Sequence, residues 1–288
     1  MSMEIRYGKT RVIFFRLAKR SEPPFAAAVD IDVFGERFKA SYTEGDNTEV
    51  VATDTMKNFV YASAADFTGT SLEAYVAFLG RRLLETYPQM ERIRVHAREM
   101  PLDPAYAAPS IGSTHGASDI VFRLTREDRA IAHADFSRDA SGITIEHARS
   151  GIEGMRLLKT TGSSFAAFAR DQYTTLPELS DRPLTVVMDA HWRYMNVRDA
   201  TGEGKGHISS ELVRRALELT FHDFNSKSIQ ELVHEMGQRL LKGFPSLGAV
   251  EFSAENHTPD KVADGKGDVR VFAEPRQTFG KIGLVLRR

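Results

Sequence analysis

Residues 71–88, SLEAYVAFLGRRLLETYP, return as residues 228–245, SIQELVHEMGQRLLKGFP, in one register and without a gap. The offset is 228 − 71 = 157, and 7 of the 18 positions are identical. Many of the others exchange like for like, as in Leu72/Ile229, Glu73/Gln230, Leu79/Met236 and Tyr87/Phe244. In the first copy Leu72, Val76, Leu79, Leu83 and Tyr87 recur at helical spacing, and Ile229, Val233, Met236, Leu240 and Phe244 do so in the second. One apolar stripe per copy predicts an amphipathic helix lying on a core. Ser71 stands at the expected N-cap and Pro88 just past the end, where a proline disrupts nothing. Ser228-Ile229-Gln230-Glu231 reads as a capping box, which puts Ile229 and Gln230 in the first helical turn. The match also extends beyond the helix, since Ile93 and Val95 fall on Val250 and Phe252, and Asp66-Phe67 on Asp223-Phe224. A chain that repeats across half its length is two copies of one module, with its function expected where copies meet.

Around this helix the first copy reads as strands and a second helix. Residues 11–17 and 25–42 are rich in β-branched and aromatic residues, with a turn at Ser21-Glu22-Pro23-Pro24 between them. Val29, Ile31, Val33, Phe38, Ala40 and Tyr42 alternate around Gly35 like a half-buried strand with a kink. A short helix over 54–62 opens at Asp54. Strands follow at 92–98, 118–124 and 130–136, the last two pairing around Arg126-Glu127-Asp128. The second copy has strand signals at 143–145, 157–158, 184–188 and 192–195, an exposed turn at Gly202–Gly206 and a helix from Ser210 to about His222. Val250, Phe252 and residues 282–286 complete it. Each copy is therefore ββααββ, an α+β layer with helices on one face of an antiparallel sheet. The expected modules are residues 1–137 and 138–288. Their open sheet edges need covering, and oligomerisation is one way to do so.

Composition narrows the function. The 288 residues carry 38 basic and 39 acidic side chains, a formal net charge of −1, which gives no footprint for nucleic acid or an anionic membrane. No run of about 18 apolar residues offers a membrane span, and the first residues lack a signal-peptide core. The absence of cysteine excludes disulfides, thiolate metal sites and a thiol nucleophile. No two of the nine histidines are spaced i, i+4 as in a helical zinc site. Thr201-Gly202-Glu203-Gly204-Lys205-Gly206 lacks the form of a phosphate loop and reads as a flexible hairpin turn.

Several short segments are more specific. Tyr7-Gly8-Lys9 opens the first strand, Ser41-Tyr42-Thr43 and Gly45-Asp46-Asn47 follow the second, and Val51 to Asn58 (VATDTMKN) leads into the first helix. Lys159 to Phe165 (KTTGSSF), Arg170 to Leu176 (RDQYTTL), Asp181-Arg182, Asn225-Ser226 and Ile229-Gln230 follow in order. Together these resemble urate oxidase (uricase), a family of tandem tunnelling-fold modules, over nearly the whole chain. The resemblance implies oxidation of urate by O2 to 5-hydroxyisourate and hydrogen peroxide, with no metal or organic cofactor. It also implies a homotetramer whose sheets close into a barrel and whose active sites are shared between subunits.

The site residues follow from the same resemblance. Lys9 and Thr53 correspond to the catalytic dyad. A lysine with an ordinary pKa of about 10.4 serves as a base only if burial lowers it, and a bond to Thr53 would pass the proton on. Arg182 corresponds to the substrate arginine, whose guanidinium fork matches two neighbouring acceptors of urate. Gln230 and the Ile229 backbone face it from a helix start, where free N–H groups favour an anion. Phe165 corresponds to the aromatic that stacks on the purine. Asn256 corresponds to the asparagine above the purine plane, and Thr53 and Asp54 also belong to the substrate site.

Two segments depart from the family. Many uricases have Asn-Lys-His where this chain has Asn256-His257-Thr258, which leaves either His257 or Thr258 to complete the relay. One residue matters in a strand, because it changes the face. His115-Gly116-Ala117-Ser118 stands where the family often has His-x-His-Ser-Phe. The alternative function is a non-catalytic purine-binding protein of the same fold, supported only by the altered Asn256-His257-Thr258 segment. The C-terminal Leu286-Arg287-Arg288 is not a peroxisomal Ser-Lys-Leu, so a cytoplasmic location is expected.

Overall fold

The structure is a computed structural model that describes residues 3–18, 23–107, 116–124, 126–273 and 278–288. The chain separates into two compact units, Met1–Ser150 with Asn196–His207, and Gly151–Met195 with Ile208–Arg288.

The first unit contains β1 (Arg6–Arg16), β2 (Phe25–Phe34), α1 (Lys39–Thr43), α2 (Thr53–Asp66), α3 (Leu72–Thr86), β3 (Arg92–Glu99), β4 (Asp103–Ala107), β5 (Gly116–Arg123), β6 (Arg129–Asp139) and the start of β7 (Gly142–Lys159). α4 (Val197–Ala200) also lies in this unit. Its main sheet runs β1-β2-β3-β6, with antiparallel pairing throughout. Val29, Ile31 and Val33 of β2 alternate with Asp30 and Asp32, so one face of the strand is apolar. That face packs with Ile93, Val95 and Phe136 against Met56, Val60, Leu79 and Leu83 of α2 and α3, forming the first core.

The second unit holds the rest of β7, then β8 (Leu184–Tyr194), α5 (Ser210–Asp223), α6 (Ile229–Gly243), β9 (Leu247–His257), β10 (Lys261–Asp264), β11 (Arg270–Phe272) and β12 (Gly280–Arg287). Its main sheet runs β7-β8-β9-β12, and Trp192, Val250 and Phe252 pack against Leu217, Val233, Met236 and Leu240. The repeat is more complete here than in the sequence. Shifted by 157, Thr53–Asp66 and Leu72–Thr86 fall residue for residue on Ser210–Asp223 and Ile229–Gly243. Each unit also carries a two-stranded antiparallel ribbon, β4–β5 or β10–β11, between its third and fourth main strands. The architecture is two tandem ββααββ modules with helices on one face of an antiparallel sheet.

Several local expectations are corrected. Strand β2 stops at Phe34, because Gly35 (φ 145°, ψ 147°) turns the chain into a 3-10 turn at Glu36–Phe38 and then α1. Phe38 is buried against Tyr7, so its apolar character serves a helical turn. Residues 118–124 pair with β4, while 130–136 pair with β3. The segments at 143–145 and 157–158 belong to one long strand. Helix α2 starts at Thr53, and its N-cap, Ala52, makes no side-chain cap bond. Gly202–Gly206 is docked on α3: Arg81 pairs with Glu203, and a Cβ on Gly202 would come 2.7 Å from Ser71 Oγ. Ser21, Glu22 and His115 lie outside the described residues.

Candidate active site

In the second unit the loop between β7 and β8 is held by backbone bonds at both ends. Phe165 and Leu179 exchange N–H···O bonds of 2.8 and 3.0 Å, and Arg182 N–H donates to Ser163 O at 2.8 Å. Ser164 N–H donates to Ser226 O at 2.8 Å, and Ser163 bridges Ser226 in parallel. Ser226 lies two residues before Ser228, the N-cap of α6, so this bridge brings Phe165 and Arg182 to the start of that helix. Ser228 Oγ accepts the Glu231 N–H at 3.1 Å. The Glu231 carboxylate accepts from Lys227 N–H at 2.7 Å, one residue earlier than the capping box predicts. Ile229 is buried and Gln230 is exposed. Their N–H groups stand in the first turn, where no intrahelical acceptor exists.

Arg182 is the most telling side chain. It is 6% exposed, and its Nε is buried without a hydrogen-bond partner among the described residues. One arm, Nη1, donates to Thr258 Oγ1 at 3.3 Å, and Thr258 in turn donates to Asn256 Oδ1 at 2.8 Å. Its guanidinium carbon lies 5.5 Å from the Phe165 ring centre. Burial pushes the guanidinium pKa below its ordinary value. Asp181, next in sequence, does not offset that charge. Its carboxylate accepts from Thr161 Oγ1 at 2.8 Å and Gly162 N–H at 2.7 Å, which hold it below the usual carboxylate range. A buried cation with an orphan N–H is costly by itself and complementary to a flat anion with adjacent acceptors.

Strand β9 sorts the Asn256-His257-Thr258 segment by face. Asn256 lies opposite Val186, on the apolar face that α6 covers. His257 points the other way, with Nε2 3.0 Å from Glu255 Oε2 and its ring 4.7 Å from Phe279. Thr258, beyond the strand end, joins Asn256 to Arg182. Phe165 stacks on Phe168 at 5.0 Å and 12°, with Ala167 between them at φ 57°. A positive φ at alanine is strained, as at many ligand-facing loops. Sequence reading did not single out Thr258 as the partner of Arg182, nor Phe168. The Phe-x-x-Phe spacing was a signal for the latter.

In the first unit, Lys9 lies on β1 opposite Ile31, and Thr53 is the first residue of α2. Tyr7 joins the two segments, because its hydroxyl accepts the Val51 N–H at 3.2 Å, two residues before Thr53. Burial pushes the Tyr7 phenol above its ordinary pKa. Gly8 lets β1 approach β2, since a Cβ there would lie 1.9 Å from the Ile31 carbonyl oxygen. Asp54 is committed to Lys57 and to Asn58 Nδ2 at 3.3 Å. The Lys57 bond holds its pKa down, with a smaller contribution from the charge of Lys9, and Lys9 shares the helix-covered face of the sheet with its partner Ile31. Among the described residues no three His, Asp or Glu side chains gather as a metal ion would need, and no helix is long and apolar enough to cross a membrane.

Duplicated ββααββ units, one with a buried arginine beside a helix start, define a tandem tunnelling-fold protein. The sequence matches the family model described as Uricase over residues 5–124 and 148–283. The uricase of Haloferax volcanii is 39% identical over 258 residues, covering 89% of this chain and 84% of that protein. The crystal structure of urate oxidase from Bacillus sp. TB-90 has a TM-score of 0.91 at 32% identity and covers 99% of this chain and 100% of its own. That of uricase from Arthrobacter globiformis has a TM-score of 0.85 at 28% identity, with 100% and 95% covered. The chain belongs to the uricase family.

Proposed function

We propose that the chain is a urate oxidase, converting urate, O2 and water to 5-hydroxyisourate and hydrogen peroxide without a metal or organic cofactor. The observation that carries this reading, beside family membership, is Arg182: a buried guanidinium whose Nε has no partner among the described residues, set against an aromatic ring beside a helix start. The guanidinium fork binds two adjacent acceptors of urate, with Gln230 and the Ile229 N–H opposite and Phe165 on the purine face. Holding the substrate as an anion raises its electron density and favours electron transfer to O2, which is electrostatic stabilisation of the reacting centre. Lys9 and Thr53 remove and relay a proton, with Asp54 beside them. Asn256 positions the oxygen species, and Thr258 takes the relay place that His257 leaves by facing away.

The proton-handling residues and the clamp belong to different modules, residues 1–137 and 138–288. The site is proposed to be completed between subunits of a cytoplasmic homotetramer whose sheets close into a barrel. Anaerobic calorimetry with urate tests the assignment, since binding without turnover isolates the clamp. Wild type and Lys9→Met are expected to bind urate with similar affinity, and Arg182→Met to lose it by about a hundredfold or more. Equal binding by Arg182→Met and wild type would remove the clamp from the account.

A further inference from the structure

Strand β1 does something that alternation forbids. Tyr7 lies opposite Val33 and Lys9 opposite Ile31, while Val12 lies opposite Val29 and Phe14 opposite Ala27. All four β2 partners are fully buried on the helix-covered face. Directly opposed residues of an antiparallel pair point to the same side. Lys9 and Val12 therefore share a face although they are three residues apart, whereas a regular strand would put them on opposite sides. The difference is one extra residue: the register shifts between Lys9 and Val12, so Thr10 and Arg11 together stand against Asp30.

The shift is held at Arg11. This residue has φ 55°, a left-handed conformation that a side-chain-bearing residue adopts at a cost. Its N–H donates to Asp30 Oδ1 at 2.7 Å. The second unit has a similar contact in cheaper form: Gly154, at φ 75°, donates its N–H to Asp189 Oδ1 at 2.8 Å. Glycine takes that conformation freely. In the first unit an arginine stands there, and the carboxylate has more to hold.

We propose that Asp30 is a positioning residue for the reaction: by fixing Arg11 in the left-handed conformation it keeps the extra residue in β1 and so sets Lys9 on the side of the sheet that faces α2. The proposal rests on Lys9 being the base. Asp30 also lies 3.8 Å from Arg98 Nη1 and opposite His96, so loss of charge must be separated from loss of the acceptor.

Steady-state urate oxidation by the full-length protein makes that separation. Asp30→Ala is expected to lower kcat by about a hundredfold, the scale of a misplaced catalytic group, while KM changes less than about threefold. Asp30→Asn keeps an acceptor for the Arg11 N–H and is expected to retain most of kcat. Combining Asp30→Ala with Arg11→Gly is expected to recover kcat, because glycine keeps the conformation without the carboxylate. Unchanged kcat in Asp30→Ala, or a loss that Arg11→Gly fails to recover, overturns the proposal. An equal loss in Asp30→Asn and Asp30→Ala overturns it in favour of charge. Full activity in Lys9→Met would instead remove the reading on which the proposal stands.

Discussion

At the residue scale Arg182 is a buried cation whose Nε has no hydrogen-bond partner among the described residues, and burial alone shifts its pKa. Such a group is a cost to the empty protein and an asset once an anion arrives. Arg182→Met is therefore expected to weaken urate binding by about a hundredfold or more and also to make the unliganded protein more stable. For a chain of this size each kcal/mol gained raises Tm by about 2–4 °C, so differential scanning fluorimetry without urate checks the sign. A fall in Tm would mean that the guanidinium has structural partners it needs. The segment after Asn256 separates two candidates in the same way. Thr258→Val removes the hydroxyl between Arg182 and Asn256 and is expected to lower kcat/KM by about tenfold or more, the scale of a hydrogen bond to a charged group. His257→Ala, which touches Glu255 and Phe279 on the other face, is expected to leave kcat/KM within about twofold. The reverse order would return the relay to His257.

At the element scale the site depends on close approaches that only certain residues allow. Gly8→Ala would set a Cβ 1.9 Å from the Ile31 carbonyl oxygen. It is expected to cost about 3 kcal/mol or more and to lower Tm in a thermal melt, and an unchanged Tm would contradict the packing of β1 on β2. Helices were the most legible elements. The stripes at 72–87 and 229–244, with serine caps at Ser71 and Ser228, are realised almost to the residue, because a helix needs only its own periodicity and its cap. Strand partners were harder to read. Residues 118–124 and 130–136 both alternate, but pairing is settled by tertiary packing, and β6 pairs with β3 instead. Phe38, Ala40 and Tyr42 suit a strand as well as a short helix until Gly35 decides. The residues of the proposed clamp were legible as residue types in order, and Phe165 and Arg182 do lie together beside the start of α6. The turn of His257 away from them was not legible, since the side of a strand that a residue faces depends on register.

At the scale of the whole molecule, the two copies of the repeat differ at matching positions of their second helices. Glu73 occupies in α3 the position that Gln230 occupies in α6, but it is 7% exposed, and burial raises its pKa above the ordinary glutamate value, partly offset by backbone hydrogen bonding and His207. Below a pKa of about 4.3 both folded and unfolded chains hold the proton. Above it the unfolded chain ionises first, so stability falls as pH rises until the folded carboxyl also ionises. Glu73→Gln, which installs the other copy's residue, is expected to raise Tm more at pH 7 than at pH 5. An equal change at both would mean that Glu73 is ionised in the folded chain. On the proposed assignment the duplication leaves proton-handling residues in one module and the anion clamp in the other, and the claim that unites them is oxidation of urate by O2. The most direct measurement follows urate's ultraviolet absorbance and peroxide together, with chelator-treated protein, in air and under anaerobic conditions. The account predicts that urate disappears only in air, with one hydrogen peroxide for each urate and no effect of the chelator. Loss of urate without O2, or no loss in air despite urate binding, would contradict it.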